Sequence, residues 1–496
     1  VETIDMTDVL VVGAGPAGVA ATLRAADLGA RTTLVCGTAF GGMAANDGPV
    51  PVRALAHAGR LLRDARQLGQ YGITVSEPAL NYSRLLDRVR EIVREVRSKS
   101  SLRPQIDSLG VTIHERTGTA RFVDSHTIET RTGLRLQADK IIICTGGVSR
   151  RLPIPGFELT STHSDAWALT SVPPSMLIVG AGATGVQVAS IFNAFGSSVQ
   201  LFEAGPRILA TEDVDISAAA AAALRRSGIA VREGFGAIEA FEKTATGVRM
   251  IFNKDGRRDN AEASLVVVAV GWVAETSELN VAAAGVSLNQ RKFVEVDKHL
   301  RTSAPHVFAA GDITGRLMLV PQAIQGGWVA ATNAVKGPTM PLVDQVSPMG
   351  SFTEPEYAQV GLTEAKARES HDIVVSTAHF DATTRTIIDG RTFGFCKLII
   401  DRKTCKVIGC HVIGDRAVDI VEVAAIVIAS GMRIDDLAQI PMAFPTYGAI
   451  LARAAVMAAG QLGLSVGWQG DHLEGTPRSK ARAEEADASP RARASG

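Results

Sequence analysis

Short apolar runs, each closed by a glycine-rich turn and followed by a helical pattern, recur along the chain and predict buried parallel strands. Asp8-Val9-Leu10-Val11-Val12 reads as such a strand, Gly13-Ala14-Gly15-Pro16-Ala17-Gly18 as a tight turn, and Val19 to Leu28 as a helix with small residues toward the sheet. Met176-Leu177-Ile178-Val179, the turn Gly180-Ala181-Gly182-Ala183-Thr184-Gly185 and the helix Val186 to Phe195 repeat the unit, and Ser198 to Phe202 follows as its second strand. Further strands are predicted at Arg31 to Val35, Val111 to His114, Thr127 to Glu129, Lys140 to Cys144, Leu265 to Val270 and around Val307-Phe308-Ala309-Ala310, with helices over Val52 to Gln67 and Asn81 to Gln105. From Pro348 onwards the pattern becomes α+β, with strands at Phe395 to Ile400 and Val407 to Val412 and a helix from Ala417 to Ser430. Beyond Val466 no period survives among Gly, Pro, Ser, Ala, Arg and Glu, which reads as a disordered tail.

Composition narrows this picture to a multidomain globular protein. A chain of 496 residues exceeds the length of about 250–300 at which single cores stop growing. With 46% hydrophobic residues, 21% charged residues and a formal net charge of +0, nothing favours nucleic acid or an anionic membrane as a partner, and small molecules are expected instead. Five cysteines, Cys36, Cys144, Cys396, Cys405 and Cys410, are too sparse for a secreted disulfide framework and suit a cytoplasmic setting. The apolar run from Val9 to Ala21 is preceded by Glu2, Asp5 and Asp8, where a signal peptide needs positive charge. No other stretch approaches the roughly 18 uninterrupted apolar residues of a membrane span.

The two glycine turns carry the first chemical signal. Each is a GxGxxG placed between a strand and a helix, where the first glycine permits the turn, the second lets backbone approach a pyrophosphate, and the third allows close packing of the helix. Gly13, Gly15 and Gly18 form one site, and Gly180, Gly182 and Gly185 the other. Two such units imply two dinucleotides. The second unit's strand ends at Glu203, whose carboxylate suits a ribose diol and repels a 2′-phosphate, favouring NADH over NADPH, although Arg207 lies close in sequence. In the first unit Cys36 occupies the corresponding position.

Gly41-Gly42-Met43-Ala44-Ala45-Asn46-Asp47-Gly48-Pro49-Val50-Pro51-Val52-Arg53 resembles the double-glycine, Cys-x4-Cys, Pro, basic-residue segment of the flavoprotein disulfide reductases, with Ala44 and Pro49 at the two cysteine positions. Lys140 to Gly147, ending in Thr145-Gly146, resembles the family's second flavin fingerprint, and Gly311-Asp312 its later one. In this order the motifs resemble the dihydrolipoamide dehydrogenase and mercuric reductase branch of the pyridine nucleotide-disulfide oxidoreductases. The resemblance implies an α/β fold with two Rossmann-like domains and a C-terminal α+β dimerisation domain. It places a split FAD domain at 1–150 and 271–345, an NAD(P) domain at 151–270, and an interface domain at 346–465 that makes a homodimer. It assigns Gly13, Gly15, Gly18, Cys36, Gly42, Arg53, Ala120, Thr145, Gly146, Asp312 and Leu319 to FAD. Gly180, Gly182, Gly185, Glu203 and Gly271 go to NAD, and no metal is implied.

The family's thiol chemistry has no counterpart in these positions. Ala44 has no nucleophilic atom and Pro49 has neither sulfur nor an amide proton, whereas disulfide reduction needs a thiolate. Cys405 and Cys410 repeat the Cys-x4-Cys spacing, but an offset of five along a strand sends side chains to opposite faces. At the far end, Met442 to Ala449 aligns through Pro445-Thr446 with a segment that in the family supplies a His-Glu acid–base pair; Phe444 stands at the histidine and Ala449 at the glutamate. The family's Lys-Glu pair near the flavin's reactive nitrogen becomes Arg53 and Gln187, and FAD binding is expected to be weaker without an acid at Cys36.

The expectation is an FAD-dependent NAD(P)H oxidoreductase that passes electrons from the flavin to a small acceptor such as a quinone, an aromatic metabolite or oxygen. Ala44, Pro49, Phe444 and Tyr447 would make its pocket more apolar. Tyr447 is the nearest candidate proton donor, with an interface aromatic as the alternative. Hydride exchange between NADH and NADP, a flavin enzyme without net redox, and a non-catalytic dimeric nucleotide-binding protein remain as other readings.

Overall fold

The computed structural model describes residues 5–99, 102–343 and 346–466; the tail expected beyond Val466 lies outside them. By packing, the described residues form two units, one within 5–206 and 227–343, the other of 207–226 with 346–466.

In the first unit the all-buried strand Thr32–Cys36 and the strand Asp5–Val12 pair in parallel, as their near-continuous apolar sequences require when both faces are covered. The sheet runs Thr112–Glu115, Thr32–Cys36, Asp5–Val12, Arg135–Ile143, Thr127–Thr130, Ala120–Phe122, with Val307–Ala309 added parallel to Arg135–Ile143. The chain therefore returns to its first sheet after a long excursion. That excursion holds a second, parallel sheet in the order Ala230–Glu233, Ser198–Glu203, Ser175–Val179, Leu265–Val268. An antiparallel sheet of Ala237–Lys243, Val248–Lys254 and Arg257–Ala263 also lies within it. A short ribbon, Gly147–Ser149 against Trp272–Ala274, joins the outgoing and returning chains.

Several expected bounds move for local reasons. The helix expected from Val52 begins at Pro49, which occupies the first turn where a missing amide proton costs nothing. The single helix expected from Asn81 to Gln105 is two, Tyr82–Lys99 and Arg103–Ser108, the second carrying Pro104 in its first turn. The strand expected from Leu265 to Val270 ends at Val268.

The second unit is a five-stranded antiparallel sheet in the order Met349–Ser351, Tyr357–Gly361, Val407–Ile413, Phe395–Asp401, Ile373–His379. Ala358, Cys396, Leu398, Cys410 and Val412 form one core with the helices Ala417–Ala429 and Ala449–Gln461. The register sets Gln359 beside His411 and His411 beside Lys397. Lys397, 1% exposed, binds Asp213 at 2.9 Å, Asp215 at 2.6 Å and Glu364 at 2.6 Å. Helix Val214–Arg226 thus packs with the C-terminal domain, although sequence order puts it inside 151–270.

Candidate functional site: two nucleotide cradles and a cysteine-free segment

Strand Asp5–Val12 delivers the chain to Gly13 at φ +108°, where a Cβ would come within 2.3 Å of the Cys144 carbonyl oxygen. A Cβ on Gly18 would come within 1.7 Å of the Gly13 oxygen, so only glycine lets helix Pro16–Asp27 sit this close to the strand end. Gly15 is different. A Cβ there meets nothing within 4 Å, and no side chain caps the helix that begins at Pro16. Backbone amides of the first turn are left facing an open cradle, which is the arrangement an anionic pyrophosphate needs. The second unit repeats this: a Cβ on Gly180 would approach the Ala269 oxygen to 2.4 Å and one on Gly185 the Gly180 oxygen to 1.8 Å, while Gly182 opens onto space. Helix Ala183–Ala194 likewise has no side-chain cap.

Glu203 closes the second cradle. Its two carboxylate oxygens accept the amides of Ala181 at 2.9 Å and Gly205 at 2.8 Å, which fixes the side chain and leaves lone pairs for a ribose diol. Arg207 donates to the carbonyls of Leu209, Ala210 and Glu212, so its guanidinium is held within its own loop. At the first cradle Cys36 is buried, with Sγ 3.6 Å from the His114 oxygen, and lies in register with Glu115 on the adjacent strand. Burial, then the Glu115 charge, pushes its thiol up to about 11, so Cys36 is a neutral group here.

Of the other residues expected at the flavin, Gly42 lies against the turn of this cradle, and Asp312 follows Gly311, which lies against its helix. A Cβ on Gly42 would meet the Gly15 Cα at 2.6 Å, so the start of the segment 41–53 abuts the phosphate turn. The helix Gly42–Asn46 is held by Asn46, whose Nδ2 donates to the oxygens of Gly42 at 2.7 Å and Phe40 at 3.1 Å. Ala44 is half-buried and Pro49 exposed at the next helix start, four residues ahead of the half-buried Arg53. Thr145 donates to the Glu275 oxygen at 3.4 Å, and Gly146 takes φ +77°. Asp312 is half-buried, and no protein group among the described residues donates to its carboxylate; burial raises its pKa. An unpartnered carboxyl beside an open cradle fits the hydroxyls of a polyol. Ala120 begins a strand of this sheet and Leu319 precedes helix Val320–Lys336. Gln187 donates back along its own helix to Ala183 at 3.0 Å, and Gly271, at φ +106°, precedes the ribbon strand Trp272–Ala274.

A matching family model, described as pyridine nucleotide-disulphide oxidoreductase, covers residues 7–327, and the dimerisation domain of the same family covers 347–455. The chain belongs to this family. Its members use FAD and NAD(P)H, and the cradles described above fit both cofactors. A dihydrolipoyl dehydrogenase of Bacillus subtilis (strain 168) is 30% identical over 92% of this chain and 97% of its own. A mercuric reductase of Lysinibacillus sphaericus is 29% identical over 91% of this chain and 82% of its own. The solved structure of the HOCl-induced flavoprotein disulfide reductase RclA from Escherichia coli superposes with a TM-score of 0.80 at 25% identity, covering 90% of this chain and 99% of that one.

The five cysteines are all free, and none lies in residues 41–53. Cys405 stands before its strand at φ +57° and half-exposed, while Cys410 is buried within the strand and lies 4.0 Å from Cys396. In the second unit Phe444 is 79% exposed and Ala449 opens the helix Ala449–Gln461. Tyr447 gives its hydroxyl to Asp389 at 2.8 Å. Burial, that bond and the Asp415 charge push its phenol above the usual range. No helix among the described residues is long and apolar enough to cross a membrane, and no group of three or more metal-ligating side chains occurs among them.

Proposed function

We propose that this member of the family is an FAD-dependent NAD(P)H oxidoreductase that passes electrons from the flavin directly to a small acceptor such as a quinone, an aromatic metabolite or oxygen. The observation that carries the reading is the contrast between two nucleotide cradles and a segment 41–53 that contains no cysteine. Its named relatives are a dihydrolipoyl dehydrogenase and a mercuric reductase, whose thiol chemistry would require nucleophiles at positions where this chain has Ala44 and Pro49.

The chain's own residues would divide the work as follows. Backbone amides at the starts of helices Pro16–Asp27 and Ala183–Ala194 bind the two pyrophosphates. Asp312 accepts hydroxyls of the FAD polyol, and Glu203 orients a ribose diol and disfavours a 2′-phosphate, which selects NADH. Arg53 supplies positive charge that favours an anionic reduced ring. FAD, when bound, supplies a ring that accepts hydride and gives up electrons in pairs or singly. Ala44 and Pro49 shape an apolar surface suited to a flat acceptor.

Anaerobic mixing with NADH tests the reading. Loss of the oxidised-flavin absorbance, its return on adding 1,4-naphthoquinone, and no reduction of lipoamide are expected. Absorbance that persists with both NADH and NADPH would overturn it.

A further inference from the structure

A hydrogen-bonded chain runs from the cysteine-free segment to the ribbon that joins the two nucleotide sheets. Asp47, the residue that closes helix Gly42–Asn46, accepts a short hydrogen bond on Oδ2 from the hydroxyl of Ser164. The Ser164 oxygen lies 3.3 Å from His163 Nε2, and His163 Nδ1 lies 3.2 Å from the Ser149 hydroxyl. Because the Ser164 proton is spent on Asp47, Nε2 must be the protonated ring nitrogen, and Nδ1 then accepts from Ser149. All three bonds therefore point one way, from Ser149 through His163 and Ser164 to the Asp47 carboxylate.

Helix His163–Trp167 brings the two central groups to this place through a capping box, Thr162 with Asp165. His163 is 5% exposed and packs edge-on against Trp272, with ring centroids 4.9 Å apart. Burial lowers its pKa, while Asp47 and Asp165 oppose the shift, so the ring is neutral near pH 7. Ser149 and Trp272 are register partners in the ribbon, whose other end places Gly147 against Val273 and Asp312. The chain thus runs from the ribbon, whose far end lies against Asp312, to the segment bearing Ala44 and Pro49. A buried histidine bonded at both nitrogens is commonly a structural group. Here both its partners are hydroxyls, which can pass a proton as well as hold one, and the run ends on a carboxylate in the very segment that has lost its thiols.

We infer that Asp47 is the proton-exchanging group of the acceptor site and that Ser164, His163 and Ser149 resupply it. The inference rests on the proposed direct reduction of an acceptor. NADH provides two electrons and one proton as hydride, and a quinone needs one further proton to become a hydroquinone. The Asp47 carboxyl gives that proton to the reduced quinone oxygen. Its carboxylate then takes the Ser164 hydroxyl proton, Ser164 takes the one on His163 Nε2, His163 Nδ1 takes that of Ser149, and the half-buried Ser149 takes one from a water whose hydroxide passes to solvent; rotation of the two hydroxyls and return of the His163 proton from Nδ1 to Nε2 restore the starting state.

Infrared difference spectra of the holoprotein, reduced by NADH minus oxidised, read the carboxyl without turnover. The wild type should show a carboxylic C=O band that Asp47→Asn abolishes and Asp47→Glu retains at a shifted frequency. Stopped-flow reoxidation by 1,4-naphthoquinone should slow on the order of 10²-fold in Asp47→Asn and less in Ser164→Ala and His163→Gln, with flavin reduction by NADH unchanged. Identical spectra and reoxidation rates in wild type and Asp47→Asn would overturn the relay, as would an equal loss in both half-reactions, which marks a structural role. If NADH fails to bleach the wild-type flavin, the proposed function falls and takes the relay with it. Bleaching followed by wild-type reoxidation in Asp47→Asn removes the relay alone.

Discussion

Among single residues, the two open glycines separate binding from folding. A methyl at Gly15 or Gly182 meets no protein atom, whereas one at Gly18 would lie 1.7 Å from a carbonyl oxygen. Gly15→Ala should therefore keep the thermal midpoint of the apoprotein within a few degrees while losing at least tenfold in FAD affinity. Gly182→Ala should keep FAD and lose NADH. Gly18→Ala should lower the midpoint of the apoprotein itself. Calorimetry of the apoprotein with fluorescence titration of both nucleotides checks all three. These roles were legible in the sequence because a turn's backbone demands are local. Cys36 was recognised as a missing acid, but not its company, since Glu115 reaches it across a strand pair 79 positions away in sequence. Asp47 and Ser164, 117 residues apart, left no mark at all.

Secondary-structure elements were legible where an apolar run met a glycine turn, and less so elsewhere. Both βα units and the last two strands of the C-terminal sheet fell where expected, because complete burial enforces apolar sequence on both faces. The antiparallel sheet from Ala237 to Ala263 escaped notice because its outer strands are largely exposed and charged, as in Arg257–Ala263. The five-residue helix Gly42–Asn46 is too short to show a period, and Asn46 holds it by side-chain bonds rather than by packing. Asn46→Leu, similar in size but unable to donate, should cost about 1–3 kcal/mol in urea unfolding of the holoprotein. It should also raise protease sensitivity within 41–49, since the carbonyls of Phe40 and Gly42 lose their donor.

For the molecule as a whole, the decisive electrostatic feature is Lys397. Its ammonium is 1% exposed and faces Asp213, itself 1% exposed, in the same unit. Lys397→Met leaves a buried carboxylate unpaired, and a loss of about 3–5 kcal/mol is expected. Adding Asp213→Leu should recover part of it, which separates the cost of the orphaned charge from the cost of lost volume. Burial alone would raise the Asp213 pKa, but the bonds from Lys397 and the Glu364 amide outweigh it and the net shift is downward. A depressed folded pKa stabilises above the unfolded value of about 3.9 and is lost as pH falls through the folded one. Acid unfolding should therefore begin at higher pH in Lys397→Met, as circular dichroism against pH would show. None of this coupling was legible in the sequence, because Asp213 and Lys397 are 184 residues apart and each looks like an ordinary surface charge.

The same ion cluster bears on how such a chain can be rearranged. Residues 207–226 are encoded within the second nucleotide unit, yet they supply Asp213 and Asp215 to the lysine of the C-terminal sheet. A gene fragment cut at the family's domain boundary near 347 would carry Lys397 with Glu364 but without Asp215 and the buried Asp213. Swapping that domain between relatives as a cassette would fail unless the loop and helix of 207–226 were transplanted with it, so the unit of modular inheritance here is discontinuous in the gene.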